Sequence, residues 1–170
     1  MRKAGFALLI IGLGISPAVA LALLHQVSQA PLVIYNPSPS EPRGFYRLVA
    51  SDPAPGRLIA FRVPPQGRDY AKQHLRYLTH IAILKEVAAS EGSEVCIRDG
   101  AVLIDGNKRG LVESHDRAGW ALPHWSGCRR LGSQELFAFS NRIPNSFDSR
   151  YYGPIQVRDV VGVYTPLWTE

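Results

Sequence analysis

Glycine and proline punctuate this chain so often that a bundle of long helices is excluded. The 170 residues include 15 Gly and 13 Pro. Glycine loosens the backbone and proline ends helices, so the composition favours many short elements joined by turns. Hydrophobic residues make up 46 % and charged residues 19 %, which excludes a disordered chain. The length suits one domain with a core of its own. Net charge is +5. Two of the positive charges are Arg2 and Lys3, outside the main body, and no basic run follows. The charge pattern therefore implies no nucleic-acid partner.

Arg2 and Lys3 precede an uncharged run from Ala4 to Leu24. As a helix it would be about 30 Å long, the thickness of a bilayer core. The flanking positives place the N-terminus in the cytoplasm and the body across the membrane. A cleaved signal peptide is the competing reading. Ala18-Val19-Ala20 fits its A-x-A pattern, and Gly14 and Pro17 would break the helix just before it. The apolar residues Leu21 to Leu24 continue past that point and favour a retained span. The expectation is one transmembrane helix with its linker over residues 1–30 and an exported body over 31–170. The chain would sit in the inner membrane as a single-pass protein with a periplasmic body.

Two cysteines, Cys96 and Cys128, suit an exported chain with one disulfide. Two unrelated buried thiols are the bland alternative. A zinc site that adds His115 and His124 lacks the C-x-x-C pair that usually anchors one.

The body reads as mainly β. Residues 25–35 read as a short linker leading into an extended stretch, and then comes Asn36-Pro37-Ser38-Pro39-Ser40-Glu41-Pro42, whose prolines forbid a helix and stiffen the backbone. Leu58 to Val63 reads as a strand ended by Pro64-Pro65. Arg68 to Tyr77 is the best helix, and Thr79 to Ala88 a strand. Asp99-Gly100 joins Glu94–Arg98 to Ala101–Ile104 as a hairpin. Asp105-Gly106-Asn107 is the next turn. Leu136 to Phe139 and Val157 to Tyr164 are further strands.

Lys85 stands out. Strand alternation puts Ile81, Ile83, Lys85 and Val87 on one face, and three of these are apolar and β-branched. An ammonium on a core face is costly, and the cheaper outcome is a depressed pKa and a neutral amine, which is a general base. The bland alternative is a lysine that snorkels at a strand edge or pairs with a carboxylate. Ser40, between prolines, is taken alone a turn residue. No G-x-S-x-G elbow supports a histidine triad. A third polar island runs from Asn145 to Pro154, and its bland reading is a surface loop in which Asp148 pairs with Arg150 or Arg158.

In order and spacing, these islands resemble the signal peptidase I family of serine–lysine proteases (peptidase S26), closest to its conjugative-transfer branch of TraF-type pilin-processing peptidases. Asn36-x-Ser38-x-Ser40-x-Pro42-x-Gly44-Phe45-Tyr46 is similar to the nucleophile motif. Leu84-Lys85-Glu86-Val87-Ala88-Ala89 is similar to the lysine motif. Ser146-Phe147-Asp148-Ser149-Arg150-Tyr151-Tyr152-Gly153-Pro154 resembles the C-terminal box. The likeness implies a signal-peptidase-like β domain of antiparallel sheets with about one short helix. It implies Ser40 as nucleophile, Lys85 as general base, Ser146 orienting the amine, and Asp148 holding the box by pairing with Arg150. Ser38 and the Ser40 amide would receive the oxyanion, and Gly153 would support the box. No cofactor or metal is implied. The substrate would be an exported pilin precursor, with hydrolysis or cyclisation as the outcome. There are two departures. Glu91-Gly92-Ser93 stands where the family commonly has Pro-Gly-Asp, and Phe139-Ser140-Asn141 where it often has Gly-Asp-Asn. Other readings are a general type I signal peptidase, a catalytically inactive scaffold of a transfer apparatus, and a self-cleaving repressor-type peptidase, which would need a DNA-binding domain where this chain has its apolar segment.

Overall fold

The computed structural model describes residues 30–170. The apolar segment over 4–24 lies outside them, and with it the expected anchor. Among the described residues no helix is long and apolar enough to cross a membrane.

Two antiparallel sheets form among these residues. The larger contains β1 (Val33–Asn36), β2 (Gly44–Val49), β3 (Leu58–Phe61), β4 (Ile83–Ala89), β9 (Glu135–Ala138), β10 (Ile155–Gln156) and β11 (Val160–Thr169), in the order β1-β2-β11-β3-β4-β9-β10. The smaller contains β5 (Glu94–Arg98), β6 (Ala101–Ile104), β7 (Asn107–Leu111) and β8 (Gly127–Arg130), in the order β7-β6-β5-β8. Two helices accompany them: α1 (Pro65–His74) and the four-residue α2 (Ser149–Tyr152). This is the mainly β architecture expected, with one helix more.

Local chemistry explains where the elements lie. Asp99 and Gly100 both have positive φ, 51° and 68°, the backbone a two-residue hairpin needs for its twist. Asp105 and Gly106 repeat the device at 50° and 77°. The helix expected over Arg68–Tyr77 begins earlier, at Pro65, and ends at His74. Pro65 sits in the first turn, where its missing N–H has no partner to lose. The chain then makes a 3-10 turn at Arg76–Thr79. That turn consumes the start of the strand expected from Thr79, so β4 begins at Ile83. Another 3-10 turn, Val157–Asp159, delays β11 to Val160.

The main core lies between the larger sheet, α1 and the C-terminal box. Ile59 and Phe61 of β3 and Ile83 and Val87 of β4 pack there with Phe147, Tyr151 and Tyr152. Lys85 is paired in register with Ile59. The expected alternation therefore holds for Ile83, Lys85 and Val87. It fails for Ile81, which precedes the strand and is 43 % exposed. Leu84 is buried too, against Tyr46, Ala60 and Tyr164 in a second cluster. Both faces of β4 are thus covered.

Cys96 and Cys128 lie opposite each other on β5 and β8 and form a disulfide. With both sulfurs so engaged, the zinc alternative built on them with His115 and His124 is overturned, as is that of two unrelated thiols. The bridge spans 32 positions, and closing a loop of that length stabilises by about 3–4 kcal/mol in the chain-entropy model. Urea unfolding with and without reductant is expected to differ by about 3 kcal/mol. A difference below about 1 kcal/mol would show that this cross-link does not constrain the unfolded chain as that model requires.

Candidate active site

Three prolines between β1 and β2 leave the nucleophile segment short of backbone donors, so its carbonyls need partners from elsewhere. The Asn36 side chain supplies them. Its amide nitrogen donates to the carbonyls of Ser38 (2.9 Å), Glu41 (3.1 Å) and Pro42 (3.0 Å). Its oxygen accepts from the Ser38 N–H at 3.1 Å. The Tyr46 hydroxyl donates to the Pro42 carbonyl at 2.6 Å. One carboxamide therefore closes the whole turn.

Within that turn Ser40 is 2 % exposed and Lys85, arriving from β4, is 3 % exposed. The Lys85 amine donates to Ser40 Oγ at 2.6 Å and to the Leu84 carbonyl at 2.9 Å. Burial is the main influence on that amine and lowers its pKa to about 8. The carboxylates of Asp148 and Glu41 pull it upward, and the Arg150 guanidinium pushes it down. Burial is larger than either carboxylate's pull, and Arg150, paired with Asp148, adds to it. An amine that titrates near 8 can accept the proton of the hydroxyl it touches.

Ser38 Oγ lies 2.9 Å from Ser40 Oγ and accepts the Ser40 N–H at 3.3 Å. The two donors expected to receive an oxyanion are therefore side by side. At rest they bond each other, and a substrate oxygen would take over both.

Asp148 is fully buried and Arg150 is 1 % exposed. Arg150 Nε donates to Asp148 Oδ1 at 2.8 Å and Nη2 to Oδ2 at 3.0 Å. The same guanidinium donates to the carbonyls of Leu111 (2.9 Å), Pro144 (3.1 Å) and Ser146 (2.9 Å). It also stacks on the Phe139 ring, 4.8 Å from its centroid. The pairing expected from the motif is present, and it is a buried hub and not the exposed loop contact of the bland reading. Gly153 follows α2 with φ 80°, a left-handed turn that frees its N–H for the Ser149 carbonyl at 3.1 Å.

Ser146 departs from its expected role. Its hydroxyl is buried but has no hydrogen-bond partner among the described residues. The amine it was to orient is held by Ser40 and by the carbonyl of its own strand. Three residues in this region had no role in the sequence reading. Asn36 carried a signal, a carboxamide at the mouth of a proline-rich turn. Ser140 donates its hydroxyl to the Ser40 carbonyl and its N–H to Asp148 Oδ2 at 3.2 Å, joining the hub to Ser40. Its signal was the departure from Gly-Asp-Asn. Glu41 is 6 % exposed, and burial raises its pKa against the pull of Lys85.

Ser38, Ser40, Lys85 and Ser146 line a cleft of about 530 Å³ with apolar walls that include Ala82, Ile143 and Phe147. A larger cleft of about 740 Å³, between α1 and residues 154–161, holds none of these four side chains. The smaller one is therefore the candidate active site.

Residues 6–168 match the family Signal peptidase, peptidase S26. A plasmid transfer protein TraF of Escherichia coli is 33 % identical over 91 residues, which span 51 % of this chain and 51 % of that protein. The chain thus matches about half the length of that relative. A conjugal transfer protein TraF of Agrobacterium fabrum is 30 % identical over 145 residues, 79 % of this chain and 81 % of that one. A signal peptidase I structure from Enterococcus faecalis V583 superposes with a TM-score of 0.41 at 19 % identity, covering 69 % of this chain and 100 % of that one. That likeness is distant, and the assignment rests on the sequence matches. By these matches, the chain belongs to the signal peptidase, peptidase S26, family and is of TraF type.

Proposed function

We propose that this chain is a membrane-anchored serine endopeptidase that cuts an exported pilin precursor for conjugative transfer. The observation that carries the reading is the 2.6 Å contact between a buried Lys85 amine and the Ser40 hydroxyl. Membership of the peptidase family supports hydrolytic chemistry, and the plasmid-transfer relatives support the setting. The uncharged run from Ala4 to Leu24 supports an inner-membrane anchor, with the active site on the periplasmic side, where an exported precursor would meet it.

In this reading neutral Lys85 takes the Ser40 proton as Oγ bonds to the scissile carbonyl carbon. The Ser40 N–H and the Ser38 hydroxyl turn from each other to the developing oxyanion. The C–N bond then breaks, Lys85 returns the proton to the leaving amine, and an ester remains on Ser40. Water activated by the amine releases a linear carboxylate. Attack by the substrate's own N-terminal amine instead closes a ring. Both steps need an apolar cleft that keeps Lys85 desolvated.

Intact-mass analysis of a pilin precursor from the same transfer locus, co-expressed with the enzyme, tests the reading. Wild type is expected to shorten it. Ser40→Ala and Lys85→Arg are each expected to slow that step by at least about a thousandfold, since guanidinium does not deprotonate at working pH. A product lighter than the linear species by one water identifies cyclisation. Processing by Ser40→Ala would refute the nucleophile, and a precursor left intact by wild type points to the scaffold reading or to general signal peptides as substrates.

The rate is expected to rise with pH, because only the neutral amine is a base. With the Lys85 pKa at about 8, the rise should level off near pH 9, roughly tenfold above its pH 7 value. A rate that stays flat between pH 7 and pH 9 would remove Lys85 from the role. Glu41→Gln deletes a carboxylate that raises the amine pKa, so its midpoint should move to lower pH. A midpoint that stays in place would mean that the Glu41 charge does not reach the amine.

A further inference from the structure

We propose that Arg117 reads a carboxylate, so that the peptide cut in this cleft carries an acidic side chain near the scissile bond. This rests on the peptidase reading and narrows its substrate. The argument begins with the connection between β7 and β8, residues 112–126. It leaves the smaller sheet, crosses to α1, and reaches the cleft wall with Arg117 at its tip.

That tip is built to hold its place. Asp116 Oδ1 accepts from the backbone N–H groups of Ala118 and Trp120, both at 2.9 Å. Its other oxygen accepts the Tyr70 hydroxyl of α1 at 2.7 Å. The His74 ring lies between those of Tyr70 and Trp120, with centroids 4.8 and 4.9 Å away. Phe147 of the C-terminal box stacks on Tyr70 at 5.3 Å. The residues on either side of Arg117 are thereby fixed to the helix, and the helix to the box. The guanidinium starts from a defined point on the cleft rim.

Charge supplies the second half of the argument. The described residues that line the cleft include Lys85 and Arg117, with His80 in the wall, and no Asp or Glu. Asp116, next in the chain, is committed to Tyr70 and to its own turn. Arg117 makes neither of the ion pairs found among the described residues, Arg129–Glu135 and Arg150–Asp148. Lys85 must be neutral to act as a base, so in the working enzyme Arg117 carries a fixed positive charge facing the substrate. A guanidinium fork matches a carboxylate with two parallel hydrogen bonds. Because Arg117 is exposed, solvent screens the pair, and the preference should be about fivefold.

The test uses the full chain in detergent micelles and a set of alanine-rich peptides. Each peptide carries Asp, Asn or Lys at one position along the segment flanking the cut, and cleavage is followed by mass spectrometry. The quantity read is the ratio of kcat/KM values for the three residues within one enzyme, so differences in folded fraction cancel. Wild type is expected to prefer Asp over Asn by about fivefold at one position, and over Lys by more. Arg117→Glu should invert that order, and Arg117→Lys should keep it in weakened form. Equal ratios at every position in wild type, or a preference that survives in Arg117→Glu, would overturn the proposal. Wild type that cuts none of the peptides while processing the precursor would also overturn it, since such peptides would not be read in the cleft. If it cuts neither, the peptidase reading itself fails.

Discussion

The fully buried pair of Asp148 and Arg150 holds the site together. Two charges out of water are costly, and such a pair survives only where every remaining donor and acceptor is met. Here they are. Asp148 receives the Arg150 side chain, the Arg150 N–H and the Ser140 N–H. Arg150 spends its other N–H groups on carbonyls from the end of β7, the segment after β9 and the box itself. Removing one partner of such a pair costs about 3–5 kcal/mol, because the other is left buried and unmatched. One ion pair thus fastens the end of β7 to the box and the segment just before it, which are far from β7 in sequence.

The same pair shapes the chemistry at Lys85. A lone buried carboxylate beside the amine would hold it charged and useless as a base. Burial is the largest influence and Arg150 offsets part of that attraction, so the amine pKa is lowered to about 8. Sheet geometry supplies the burial. Ile83 and Val87 flank Lys85 on its face of β4, and Leu84 fills the opposite face, so water reaches the amine from neither side of the strand. The proline turn does the complementary work at Ser40. Asn36 ties three of its carbonyls, and Ser140 ties the carbonyl of Ser40 itself. The hydroxyl is held where the amine meets it.

Much of this was legible in the sequence wherever the constraint was local. Asp-Gly and Asp-Gly-Asn turns demand left-handed backbone, and both hairpins follow. Alternation put Lys85 with Ile83 and Val87 because β4 is a regular strand there. It failed at Ile81, where the 3-10 turn after α1 breaks the period. The start of α1 was missed because Pro64-Pro65 was read only as the end of a strand, although proline also opens helices. Ser146 is the instructive failure. The motif places it beside the amine, and it does line the cleft, yet hydrogen-bond direction is set by tertiary distances that no motif encodes. Asn36 and Ser140 each left a signal, a carboxamide at a proline-rich turn and a break in the Gly-Asp-Asn pattern, but which backbone carbonyls they meet is decided by the fold.

The departure at residue 140 has a physical reading. Where the family often has an aspartate, this chain has a serine, and its hydroxyl donates to the Ser40 carbonyl. An ionised carboxylate accepts but cannot donate, so it could not make that bond. The exchange turns a potential repulsion between two acceptors into a tether on Ser40. It also takes a negative charge away from the amine. Glu41, next to Ser40 and buried, returns one from another direction and pulls the Lys85 pKa upward. The Lys85 amine is therefore set between opposing charges: Asp148 and Glu41 against Arg150, with burial larger than any of them. A site tuned by such a balance tolerates a change at one position when a neighbour restores the charge.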